Sequence, residues 1–197
     1  MNNEAITREI RDSISVKQNI LADERLVNSI QEVADECIAA YRRGNRVLLA
    51  GNGGSAADAQ HIAAEFVGRY AFDRPGLPAI ALTTDTSMLT AIGNDYGYDK
   101  IFHRQLEANG RKGDVFIGIS TSGNSPNVNA ALQRAREMDI ITVGLTGQSG
   151  GEMQSLCDYC MQVPSVSTPR IQESHIMLGH IICSLVEETL FGGQDNR

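Results

Sequence analysis

The chain has 197 residues, of which 42% are hydrophobic and 21% charged, and its formal net charge is -7. That length suits one well-buried core better than two independent domains, and no apolar run reaches the roughly 18 residues that would cross a bilayer. The 17 basic residues are scattered through an acidic chain, which excludes a nucleic-acid partner and leaves small ligands. The first residues, MNNEAITREIRDS, are polar and of mixed charge rather than basic then apolar, so a cytoplasmic location is expected.

Two amphipathic helical stretches lead, over about residues 5–21 and 25–43. The second sets Leu26, Ile30, Val33, Ala34 and Ile38 near helical spacing and has Gly44 as its stop. Short β-rich runs then alternate with helical patterns. RVLLA, PAIALT, DVFIGIS, IITVGLT and CMQVP read as strands apolar on both faces, the kind that a parallel sheet buries between helices. Helices are predicted from near Ser55, Thr86, Tyr98, Pro126 and Gly151, with a long last one from about Pro169 to Leu190. The predicted fold class is α/β, a three-layer, doubly wound sheet of five parallel strands behind a helical lead-in. The segments are residues 1–43 for the lead-in and 44–191 for the core and last helix, and the tail GGQDNR is expected to fray.

Of the four cysteines, Cys157 and Cys160 form a CxxC. It has no second pair for a zinc ribbon and leads into a strand rather than opening a helix, so a structural role is expected.

Two stretches bear chemistry. A strand that ends in GNGGS and turns into a helix brings Asn52, Gly53, Gly54 and the Ser55 hydroxyl to a positive helix end, where an anion is held without lysine. The Walker pattern fails for lack of that lysine. GNGGSA does satisfy the dinucleotide pattern, but the ribose-binding acid expected about 20 residues on has its nearest candidate at Asp85, 34 positions after Gly51. The second stretch, ISTSGNSPN, offers Ser120, Thr121, Ser122 and Ser125 around Gly123, with Pro126 suited to a first helical turn. Both loops would leave the carboxyl ends of strands in one sheet and could meet around one ligand; capping turns alone are the other reading. His61 and Glu65 share one helix face, as a metal pair or as a surface ion pair. In RIQESHIMLGHII, Gln172, His175 and His180 are polar insertions in an apolar run.

Taken together, GNGGSAADAQHIAAEF, AIGNDYGY, GISTSGNSPN and RIQESHIMLGH resemble the sugar isomerase (SIS) family, in its phosphoheptose isomerase branch, over nearly the whole chain. The resemblance implies a flavodoxin-like SIS domain that converts sedoheptulose 7-phosphate to D-glycero-D-manno-heptose 7-phosphate, the first step toward the heptose of bacterial lipopolysaccharide or of nucleotide-activated heptoses. It implies a cytoplasmic homotetramer with one zinc per subunit, held by His61, Glu65, Gln172 and His180. Asn52, Gly53, Gly54, Asn94, Asp95 and Gln172 would contact the sugar, while Ser55, Ser120, Thr121, Ser122 and Ser125 would take the phosphate. The family's acid/base pair falls on Glu65 and His180.

Gln172 and His180 stand eight residues apart, about 12 Å of rise on a continuous helix. With both implied as ligands of one ion, two arrangements are expected: a helix that begins after Gln172, or a His180 that reaches a neighbouring copy, the favoured form being an active site built between subunits. A non-catalytic SIS protein that binds a replication initiator or senses a sugar phosphate is the alternative, and the complete Glu65/His180 pair favours the enzyme.

Overall fold

The computed structural model describes residues 3–193; the end of the tail expected to fray lies outside them. Two long helices, α1 (Asn3–Ala22) and α2 (Glu24–Arg42), form the lead-in. They are separated by Asp23, whose carboxylate accepts from the backbone N–H of Arg25 and Leu26, each at 3.1 Å, an N-cap worth about 1 kcal/mol. Gly44 ends the second helix at φ +80°, a left-handed conformation that only glycine takes without strain.

The core follows as β1 (Val47–Gly51), α3 (Gly54–Val67), β2 (Ala79–Ala81), α4 (Thr86–Tyr96), α5 (Ile101–Asn109), β3 (Val115–Ile119), α6 (Pro126–Glu137), β4 (Ile141–Gly147), β5 (Tyr159–Val163) and α7 (Thr168–Phe191). Every predicted element is present, with three differences of extent. The helix predicted near Tyr98 opens as a 3-10 turn at Tyr98–Lys100 before α5, and the one near Gly151 is only a 3-10 turn over Glu152–Ser155. There Gly150 and Gly151 both hold positive φ, and only a few residues remain before β5. The PAIALT run yields just three strand residues, in β2, an edge strand that pairs with β1.

All strand pairs are parallel, in the order β2-β1-β3-β4-β5. Side-chain alternation divides the core. Val47 and Leu49 face one side with Val115, Ile117 and Ile119, where α2, α3 and α7 supply Val33, Cys37, Ile62, Phe66, Leu178 and Ile182. Leu48, Ala50 and Phe116 face the other, against Phe102, Leu106, Val128 and Leu132 of α5 and α6. Each large side chain buried this way contributes about 1.5–3 kcal/mol.

Two features of this arrangement place the site. The chain leaves β1 toward one edge and returns at β3 on the other side, so β1 and β3 are neighbours with Gly51 opposite Ile119. Their carboxyl ends flank the crevice in which open α/β sheets bind ligands. On one face of the sheet, α3 and α7 run alongside each other in the same direction. Gln172 packs on Gly54 at one end, and Gly179 packs on Ile62 farther along. A Cβ on Gly179 would lie 2.5 Å from Ile62 Cδ1, so the missing side chain is what lets the two helices approach.

Candidate active site

Four helices follow the carboxyl ends of strands, and three of them are alike: α3 with its N-cap at Gly53, α6 at Ser125 and α7 at Ser167. None of the three N-caps carries a side-chain cap hydrogen bond. By contrast Asp23 caps α2 and Asp85 caps α4, through Met88 N at 2.8 Å. Uncapped N-termini leave backbone N–H groups pointing out with a partial positive charge, ready for an anion. The loop after β3 is prearranged for that purpose: Ser120 Oγ lies 2.9 Å from Ser125 Oγ, and Ser122 Oγ accepts from Asn124 N at 3.1 Å. Thr121 and Ser122 line a cleft of about 240 Å³ whose other wall is Gly147, Ser165, Thr168 and Ile171.

The loop after β1 is tied to this cradle by an amide pair. Asn52 Nδ2 donates to Asn127 Oδ1 at 2.8 Å and Asn127 Nδ2 returns a bond to Asn52 Oδ1 at 2.9 Å. Asn127 is 1% exposed in the first turn of α6, and Tyr98 donates its hydroxyl to the same Asn52 oxygen at 3.2 Å. Gly53 takes φ +55° and has open space where a side chain would be, while Gly54 is filled by the Gln172 amide. Ser55 is buried, its N–H bonded to Asn52 O at 3.0 Å. Asn94 and Asp95 are exposed at the end of α4 and bond to each other at 2.9 Å rather than to the loops. Tyr98, just beyond them, makes the connection instead.

Farther along α3 stand His61 and Glu65, and α7 brings His180 to them. His61 Nε2 lies 2.9 Å from His180 Nε2 and 3.4 Å from Glu65 Oε1. The three donor atoms all fall within 4.8 Å of one another. Two imidazole nitrogens this close either share a proton or face a common cation. A carboxylate and two imidazoles form a donor set that divalent transition metals take, so the residues fit a metal. The group is open enough for a ligand to reach it, His61 being about half exposed and Glu65 one-fifth. Tyr70 lies beside it, its ring 5.8 Å from that of His180.

The structure corrects the expectation for the last helix. The helix α7 is continuous from Thr168 to Phe191, so it does not begin after Gln172, and His180 meets His61 and Glu65 of its own chain. The rise of about 12 Å does keep the two side chains apart, Gln172 reaching the start of α3 and His180 its later turns. Gln172 itself rests on Gly54 at the loop after β1 rather than with the three clustered donors. His175 is fully buried, its Nε2 3.1 Å from Thr146 O, and its place is in the core, not the site.

Sequence reasoning missed Asn127, Tyr98, Thr168 and the α7 N-terminus. The SVST run before Pro169 carried the same Ser/Thr-then-proline signal as the loop before Pro126; the Asn52–Asn127 pair had no local signal at all.

These features coincide with family membership. A family model described as SIS domain matches residues 12–147. The phosphoheptose isomerase of Aneurinibacillus thermoaerophilus is 66% identical over 96% of this chain and 96% of its own length. Phosphoheptose isomerase 2 of Campylobacter jejuni is 63% identical over 96% of this chain and 94% of its own. Among solved structures, that of phosphoheptose isomerase from Neisseria gonorrhoeae superposes with a TM-score of 0.89 at 44% identity, covering 94% of this chain and 98% of that one. The chain belongs to the SIS-domain family, in its phosphoheptose isomerase branch.

Proposed function

We propose that the chain interconverts sedoheptulose 7-phosphate and D-glycero-D-manno-heptose 7-phosphate by proton transfer between C1 and C2 through a cis-enediol. The observation that carries this reading is the meeting of Glu65 with His61 and His180 on the helix whose other end opens at the anion cradle. His61 and Glu65 lie seven and eleven residues beyond Gly54 on α3, about 10 and 16 Å of rise at 1.5 Å per residue, and their side chains lean back toward the loops. An extended seven-carbon chain with its phosphate at the loops would bring C1 and C2 to the His61 end of that span, where the Glu65 carboxylate leans back to meet it. Ser55, Ser120, Thr121, Ser122 and Ser125 would hold the phosphate through hydroxyls and N–H groups, and Asn52, Gly53, Gly54, Asn94, Asp95 and Gln172 would orient the sugar.

The chemistry needs a base over the carbons and an acid at the oxygens. Glu65 would take a proton from C1 of the ketose, exchange it with solvent and deliver a proton to C2, while His180 would move a proton between the two oxygens. We infer that the metal is zinc, one per subunit, held by His61, Glu65 and His180, with Gln172 as a fourth donor once its amide swings from Gly54. Zinc, when bound, supplies polarisation of the sugar's carbonyl oxygen. A carboxylate engaged by a metal is a weaker base, so Glu65 would loosen its hold on the metal as it accepts the proton.

The remaining readings have separate support. A homotetramer with sites near subunit boundaries suits the exposed Ile6, Ile10 and Ile14 on α1 and α4, a helix with no buried residue that carries Asn94 and Asp95. No described helix is long and apolar enough to cross a membrane. A cytoplasmic location, at the first step toward the heptose of lipopolysaccharide, suits four cysteines without a disulfide. Incubating the purified protein with sedoheptulose 7-phosphate, before and after chelation and zinc add-back, tests the proposal. Heptose 7-phosphate should form, fall away on chelation and return with zinc; no product under any condition would refute it.

A further inference from the structure

Glu187 is a carboxylate buried at 1% exposure with no place in the reaction. Its side chain and that of Arg74 are both 2% exposed and joined at 2.9 Å. A buried ion pair is weak evidence for stability, since desolvation offsets much of the attraction, so the partners of this one decide what it does. Glu187 Oε2 accepts from Tyr70 N at 2.8 Å and from Arg74 Nε at 2.9 Å; Oε1 accepts from Ala71 N at 2.6 Å and Phe72 N at 3.3 Å. Four donors converge on one carboxylate and leave no room for a proton. Burial alone would raise its pKa, yet the backbone N–H groups and the guanidinium hold it below the usual carboxylate range. Arg74 in turn donates to Glu65 O at 2.9 Å and Phe66 O at 2.7 Å, closing the last turn of α3 whose carbonyls have no helical partners.

The consequence lies at the site. Glu187 stands seven residues after His180 on α7, two turns along the same face. Through Arg74 it grips the backbone of Glu65, and through Tyr70 N it sets the loop whose Tyr70 ring faces His180. The helices bearing the donor set thus meet directly at Gln172 on Gly54 and Gly179 on Ile62, and beyond these Glu187 is joined through Arg74 to the last carbonyls of α3. The geometry points to Glu187 and Arg74 as positioning residues of the isomerase, which hold Glu65 and His180 in one mutual geometry without touching substrate. This rests on the proposed role of the His61, Glu65 and His180 cluster.

The test uses Glu187→Gln and Arg74→Lys in the full chain. An amide can present an acceptor to only one of the two donor pairs, and lysine keeps the charge beside Glu187 but cannot bridge Glu65 O and Phe66 O together. Zinc affinity is read by competition with a chromophoric chelator, kcat and KM by turnover, and folding by circular dichroism. Supporting residues of this kind typically change metal affinity or activity by about 10–100-fold. In the folded variants, zinc affinity and kcat should each fall at least about tenfold on that scale, with KM changed much less. If Glu187→Gln does not fold, Arg74→Lys carries the test. Folded Arg74→Lys protein with wild-type zinc affinity and kcat would overturn the inference. Wild-type protein that neither binds zinc nor isomerises would instead refute the underlying reading of the cluster.

Discussion

His180 Nε2 lies 2.9 Å from His61 Nε2, although 119 residues separate them. The contact exists because α3 and α7 pack alongside each other, with a glycine, Gly179, at the crossing. Replacing His180 with Ala removes one of three clustered donors and the proposed acid. Turnover should fall by about 10²–10⁴-fold, the usual worth of general acid–base catalysis, and bound zinc, measured by elemental analysis, should drop below one per chain. Full zinc content with normal turnover would separate His180 from both roles.

Removal of the glycine is a test of that crossing. Alanine at Gly179 would put Cβ 2.5 and 2.7 Å from Ile62 Cδ1 and Cγ1. Overpacking of this kind costs about 1–3 kcal/mol, against a gain of about 1 kcal/mol from helix propensity. Chemical denaturation should show net destabilisation together with weaker zinc binding, since Ile62 adjoins His61. Gly193→Ala, with nothing within 4 Å of its new Cβ, should leave both unchanged.

Thr121→Val addresses the proposed phosphate site, beside a cleft whose lining residues include hydroxyls and amides but no lysine or arginine. A hydrogen bond to a charged group contributes about 1.5–3 kcal/mol. KM should rise by at least about tenfold, since about 1.4 kcal/mol is a factor of ten, while the circular dichroism spectrum stays that of the wild type. An unchanged KM would remove Thr121 from the phosphate site.

The architecture was legible because both periodicities were clean. Five runs apolar on both faces can only be parallel strands under helices, and the turn residues between them marked the helix starts. The two glycine- and serine-rich loops were legible as strand-to-helix junctions for a similar reason, since glycine, serine and proline mark such turns. The Asn52–Asn127 pair was not, because a long-range amide contact leaves no trace in local spacing. Glu187 was hidden too: in LVEETLF it reads as an ordinary solvated helix acid, and only the fold turns it inward onto Arg74. His180 was misplaced because Gln172 was taken to share its ion, whereas the two side chains reach different points along α3.

His175 gives the fold a pH dependence. Burial lowers its pKa from 6.5 to about 4, against the opposing hydrogen bond to Thr146 O. The unfolded chain therefore binds the proton first, and the contribution to stability is complete above pH 6.5 and lost as pH falls toward 4. At 1.36 kcal/mol per unit, stability should drop by about 2 kcal/mol between pH 6.5 and 5 from this group. Urea denaturation at pH 7 and pH 5 checks it: His175→Leu should show a smaller difference between the two pH values than the wild type. An equal difference would mean that His175 is not the group responsible.

The central claim is that Glu65 moves a proton between C1 and C2 of a seven-carbon ketose phosphate. Turnover of sedoheptulose 7-phosphate in deuterium oxide, followed by proton NMR of the sugar, tests it most directly. The account predicts that wild-type protein forms heptose 7-phosphate with deuterium at C2 and washes deuterium into C1 of the ketose. Glu65→Gln protein, folded by circular dichroism, should do neither, because an amide cannot accept the proton. Product from the wild type without deuterium, or exchange that persists in Glu65→Gln, would contradict the account.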